Sequence, residues 1–245
     1  MTIFFSIFLA MTATHVAAES SFFSEANAKY QTGDFKGASE LYEKSLASGH
    51  RSLATHYNLG NAMLRQGQKG QALLHYLRAL RVYPRDKDLL WNIQVLRNAL
   101  PDRIEDKSSN PFYMPIQRLL DLYSLDEIAL SFTVALAFLA LLALLDYAFV
   151  AVRAVTGFFR ALAILAVLAS AALFGLQWMD QKDPQAVILD RETIAYYGPS
   201  DKETRAFVLH EGAEGRLLDE SGDWTYLSLK NKNTGWIRKN SCETV

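Results

Sequence analysis

Cysteine is almost missing. Cys242 stands alone, so no disulfide can close within the chain and no cysteine-based zinc cluster can be assembled. An excess of one charge is missing too, with 25 Lys and Arg against 26 Asp and Glu, so neither a nucleic-acid surface nor a polybasic lipid anchor is indicated. Glycine-rich phosphate loops and strained nucleophile elbows are absent. His50, His56, His75 and His210 have no i,i+4 partner and no carboxylate at ligand spacing, so no metal is expected. Acid pairs such as Glu40 with Glu43, or Asp219 with Glu220, fall on solvated surfaces with no cleft to raise a pKa. Cys242 sits at the tail without a nearby histidine. No catalytic residue and no cofactor are expected, and the chain reads as a non-enzyme.

Two uncharged apolar runs are present, Ile128–Leu145 and Ala161–Met179. Each is close to the ~20 residues that a helix rising 1.5 Å per residue needs to cross a bilayer core. Two crossings return the chain to the side it left, so the segments before and after the hairpin face one compartment. The link between the runs carries Arg153 and Arg160 against Asp146, whereas Asp121, Asp126, Glu127, Asp180 and Asp183 flank the outer ends. Short basic loops stay cytoplasmic, which puts the hairpin tip inside and both soluble modules outside. Arg160 is expected to reach the water interface with its long stem. At the start, Ile3–Met11 followed by Val16-Ala17-Ala18 has the form of a secretory signal, though no basic residue precedes it, and an uncleaved anchor is the alternative reading. The expected location is a bacterial inner membrane, with both modules periplasmic.

Between leader and hairpin the sequence repeats itself at 34 residues. Asn27 matches Asn61, Gly33 matches Gly67, Ala38 matches Ala72, Tyr42 matches Tyr76, and Leu46 matches Leu80. Glycines at the turns suit a positive φ, and small residues suit close helix approach. Apolar spacings of three and four place helices near 20–31, 35–48, 53–66, 69–82 and 87–100. In the second copy Leu59, Gly60, Met63, Gly67, Ala72, Tyr76, Ala79 and Pro84 stand in register. The module resembles the tetratricopeptide repeat. The last helix reads as a cap on the open face of the second repeat. The resemblance implies a concave groove formed by Phe23, Asn27, Tyr30, Tyr57, Asn61, Leu64, Arg65, Trp91 and Val95, suited to a partner segment. The cationic members of a carboxylate clamp are missing, since the matching places hold Phe23, Asn27, Asn58, Asp88 and Asn92.

After the second apolar run the pattern becomes short alternating segments. Ala186–Leu189, Ala206–Leu209, Gly215–Asp219, Trp224–Leu229 and Gly235–Arg238 read as strands between turn residues. Trp224 and Trp236 are expected to close their core. Gly198-Pro199-Ser200, Leu209-His210-Glu211-Gly212, Gly222-Asp223-Trp224 and Thr234-Gly235-Trp236-Ile237 together resemble a bacterial SH3 domain. That resemblance implies a small all-β SH3-like barrel with contact residues near Tyr196 and Tyr197.

The expected organisation is a multidomain membrane protein: leader 1–18, all-α repeat module 19–101 (repeats about 19–52 and 53–86, cap 87–100) and linker 102–126. A two-helix transmembrane hairpin then spans 127–150 and 158–180 about a turn at 151–157, and the β module covers 185–245. Taken whole, with Trp91-Asn92-Ile93 running to Leu100-Pro101-Asp102, the order resembles the BatE proteins of the aerotolerance (Bat) operon. The resemblance implies a scaffold assembling with other Bat-operon membrane proteins of von Willebrand A type and, indirectly, a MoxR-type ATPase. An envelope sensor holding peptidoglycan peptides on the β module is the alternative reading.

Overall fold

The computed structural model describes residues 21–49, 52–102, 119–120, 122–149, 153–180 and 184–245. The leader, most of the linker and the tip of the hairpin lie outside the described residues. The chain divides into two compact units, one of Met1–Ser108 with Gln185–Val245 and one of Ser109–Pro184.

In the first unit α1 (21–31), α2 (Phe35–Ala47), α3 (Leu53–Arg65), α4 (Lys69–Val82) and α5 (Lys87–Asn98) follow the expected spacing. Local chemistry starts the helices. The side chains of Asp34, Ser52 and Asp86 accept hydrogen bonds from the backbone N–H groups of Gly37, Thr55 and Leu89, satisfying donors that the first turn leaves open. Gly33 and Gly67 make the intra-repeat turns at φ of 84° and 80°, a region that a side chain disfavours. Gly60 lets α3 meet α4, because a Cβ there would stand 2.6 Å from the Tyr76 ring. Ala38, Tyr42, Leu59, Ala72, Leu73, Tyr76, Leu89 and Ile93 form the helical core.

The β module is a seven-stranded antiparallel sheet: β1 (Gln185–Ile188), β2 (Glu192–Tyr196), β3 (Arg205–His210), β4 (Glu214–Ser221), β5 (Trp224–Leu229), β6 (Thr234–Arg238) and β7 (Cys242–Thr244). Their spatial order is β3-β2-β6-β5-β4-β1-β7. Five strands match the sequence pattern. The pattern lacked β2, which ends just before the Gly198-Pro199-Ser200 turn, and β7, which is three residues long. Ala186, Ile188, Ala195, Leu209, Leu227 and Ile237 fill the inner face. The two tryptophans do not close this core. Side chains alternate along a strand, so with Leu227 and Ile237 inward, Trp224 and Trp236 stand on the outer face. Trp224 is nonetheless buried, packed edge-on by Tyr196 (ring centroids 5.5 Å) and covered by the Arg238 guanidinium at 4.3 Å.

Helices and sheet share a core in this unit. Val187, Leu189 and Val245 of the β module pack into the helical cluster. Gln68 gives α4 no side-chain cap, and Glu211 supplies one instead, its Oε1 accepting from the Gly70 N–H at 2.7 Å. A carboxylate at a helix N-terminus also answers the helix dipole. Arg97 of α5 donates through Nε and Nη2 to both oxygens of Glu214, each at 2.6 Å, the forked geometry that makes Arg–carboxylate pairs strong. The Asp102 carboxylate takes both the backbone N–H (2.7 Å) and the imidazole Nδ1 (2.8 Å) of His210. Arg78 bonds Glu243 and the Thr244 carbonyl, both at 2.6 Å, on edge strand β7.

In the second unit α6 (Leu125–Ala148) opens with a reciprocal capping box between Ser124 and Glu127, then packs against α7 (Arg153–Asp180). Both helices are long and apolar enough to cross a membrane. Leu130, Leu144, Leu165 and Leu168 stay more than half exposed, an arrangement suited to lipid. Where the helices meet, the buried Asp146 carboxylate pairs with Arg160 at 2.5 Å and accepts from the Thr156 hydroxyl, while Arg153 Nε donates to the Asp146 carbonyl at 3.1 Å. Arg160, expected to reach the interface, thus has Asp146 on the facing helix as its partner.

Candidate functional site

The 34-residue period reappears as geometry. Tyr42 donates its hydroxyl to Asn27 Oδ1 at 2.6 Å, and Tyr76 does the same to Asn61 Oδ1 at 2.6 Å. Phe23 lies against Tyr42 with ring centroids 5.8 Å apart, and Tyr57 lies against Tyr76 at 5.9 Å. Burial pushes the Tyr42 phenol up to about 12 and the Tyr76 phenol higher still, so both hydroxyls remain donors. Trp91 stands one period beyond Tyr57. The position one period beyond Tyr76 is Asn110, outside the described residues.

This series sorts the nine expected groove residues. Phe23, Asn27, Tyr57 and Asn61 are engaged in the packing between and within repeats. Asn27 also accepts from Asn58 Nδ2 at 3.0 Å, and the Tyr57 hydroxyl accepts from Asn92 Nδ2 at 2.8 Å, which ties α3 to α5. Tyr30 packs edge-on against Phe35 at 5.2 Å, and Arg65 lies 4.9 Å over the same Phe35 ring. Asn27 and Tyr30, with Gln31, Tyr42 and Asn58, line a cavity of about 150 Å³. Leu64, Val95 and Trp91 are the open apolar members, 37%, 49% and 69% exposed. Trp91 and Val95 share one stripe of α5 at i,i+4 spacing.

Residues 54–86 match the tetratricopeptide repeat family. The match covers α3, the turn at Gly67 and α4, the copy in which the signature residues stand in full. No curated protein matches the chain. A tetratricopeptide repeat is a protein-interaction module, so protein partners are the class of ligand the helical unit points to.

One pairing escaped the pattern of the sequence. His56 and His75 face each other across α3 and α4 with their Nδ1 atoms 3.3 Å apart, although 19 residues separate them. Burial, with His56 and Arg78 nearby, pulls the His75 imidazole down to about 3, so it is neutral at ordinary pH. Among the described residues no group of three or more His, Cys, Asp and Glu could hold a metal ion. The thiol of Cys242, half-buried against the inner face of the sheet, is pushed up to about 11 chiefly by burial, leaving little of the reactive thiolate. Of the expected β-module contacts, Tyr196 is packed against Trp224 and Tyr197 is 68% exposed.

Proposed function

We propose that the chain is a non-enzymatic, membrane-anchored scaffold whose helical repeats hold a segment of a protein partner. The observation that carries this reading is the open stripe of Trp91 and Val95 on α5, continuing the series whose earlier members, Phe23 and Tyr57, are packed by a tyrosine. A large indole at 69% exposure is the residue type that dominates binding energy when a partner covers it. Because the sheet shares a core with the helices, surfaces on both are presented in a fixed relation. Binding then loses less entropy than it would with modules on a free linker.

The anchor in this reading is the α6–α7 hairpin. Arg153 and Arg160 at its tip favour a cytoplasmic turn and periplasmic modules. The order of segments, which resembles the Bat-operon scaffold, supports other membrane proteins of that operon as partners. Alanine at Trp91, an exposed position, should leave the fold intact and lower recovery of a co-purified partner from membranes by roughly tenfold, about 1.4 kcal/mol. Unchanged recovery would remove the groove from the function. An alkaline-phosphatase reporter fused after Val245 should be active, and silence would reverse the orientation.

A further inference from the structure

The first repeat holds a cavity whose lining the second repeat does not copy. Asn27, Tyr30 and Gln31 of α1, Tyr42 of α2 and Asn58 of α3 enclose about 150 Å³. One period on, Leu64 and Arg65 replace Tyr30 and Gln31. Asn92, the counterpart of Asn58, donates instead to the Tyr57 hydroxyl. Packing between repeats therefore does not demand this lining.

Two amides in the cavity are locked by internal bonds that leave one end of each open. Asn27 Oδ1 accepts from the Tyr42 hydroxyl at 2.6 Å and from Asn58 Nδ2 at 3.0 Å. Asn27 is thereby fixed with Nδ2 as an open donor, and Asn58 with Oδ1 as an open acceptor. Among the described residues neither open atom has a hydrogen-bond partner, and neither is shut away from solvent. The lining carries no charge. Burial lifts the Tyr42 phenol to about 12, so its proton stays on. Lys29, next to Tyr30 in the chain, is held by Asp34 at 2.8 Å.

We infer that this cavity takes the side-chain carboxamide of an Asn or Gln in the partner segment. That occupant presupposes the proposed role of the repeats in holding such a segment. A carboxamide brings a carbonyl for Asn27 Nδ2 and an N–H for Asn58 Oδ1, answering donor and acceptor together. A carboxylate would set an acceptor against Asn58 Oδ1 and find no cation. An ammonium would set a donor against Asn27 Nδ2 and find no anion. An aliphatic side chain would leave both amides unpaired. Size agrees, because a space of about 150 Å³ admits benzene, which is larger than a glutamine side chain.

The test titrates the full chain in detergent, isotope-labelled in its Asn side-chain amides, with the N-acetyl methylamides of Gln, Glu, Lys and Ala. All four probes carry the same backbone amides. The Gln compound should shift the Asn27 and Asn58 amide resonances and bind at least about tenfold more tightly than the others. Asn58→Asp turns the acceptor into an anion and should move the preference to the Lys compound by about tenfold. The series on the unaltered chain decides the matter even if that variant fails to fold. Equal or undetectable binding of all four probes, or tighter binding of Glu, Lys or Ala, overturns the inference. If Trp91→Ala still lowers partner recovery in that case, the groove reading stands. If it does not, both fall.

Discussion

Gly70→Ala decides whether helices and sheet form one body, because the two possibilities predict opposite signs. On an uncovered helix, exchanging Gly for Ala stabilises by about 0.5–1 kcal/mol, since Gly loses more backbone freedom on folding. In the docked structure a Cβ at position 70 would stand 2.6 Å from the Ile188 carbonyl oxygen and 2.9 Å from Glu211 Cγ. Backbone on one side and the capping carboxylate on the other leave no room, so the sheet must withdraw by several tenths of an ångström. That displaces the 2.7 Å bond from Gly70 N–H to Glu211, whose loss costs about 2 kcal/mol for a charged acceptor. The propensity gain offsets part of this, leaving a net loss of about 1 kcal/mol and a fall in Tm of about 3 °C. Glu211→Ala removes the same bond without adding bulk and should also lower Tm. Thermal unfolding of the full chain in detergent, followed by circular dichroism, reads both. If Gly70→Ala raised the Tm, the docking of the sheet on α4 would be refuted.

His75 makes stability depend on acidity. Its imidazole titrates near 3 in the folded chain against 6.5 ordinarily, so the unfolded chain binds the proton first and stability falls as pH drops below about 6.5. The fall approaches about 1.4 kcal/mol per pH unit, and His75→Gln should flatten it in denaturant titrations at stepped pH. Tyr76→Phe should cost about 1–2 kcal/mol, because Asn61 Oδ1 loses its hydroxyl donor. Tyr42→Phe should cost less, because Asn27 Oδ1 still accepts from Asn58. Equal losses in chemical denaturation would show that the second donor to Asn27 contributes nothing.

The helical unit was legible because its signal is local and doubled. A turn glycine, a small residue at the helix contact and a tyrosine recur one period apart, and each recurs for a steric reason that needs only its own repeat. The strands with clean alternation were legible for the same cause. β2 and β7 were not, because β2 ends just before the Gly198-Pro199-Ser200 turn and β7 is held by pairing with β1 and by Arg78 of α4. For the residues expected to line a groove, register places Asn61 on its helix, but that its Oδ1 accepts from the Tyr76 hydroxyl depends on the neighbouring helix.

The amino-acid sequence by itself determined the helical period, its turns, two apolar helices of membrane length and most of the strands, since each is a matter of spacing along one segment. Tertiary structure alone decided the rest. It placed the tryptophans on the outer face, brought His56 to His75, engaged Arg160 with Asp146 and joined helices to sheet through Glu211, Glu214 and His210. Those pairings span up to 141 residues of chain, as between Gly70 and Glu211, and no local pattern encodes which distant carboxylate will answer an uncapped helix.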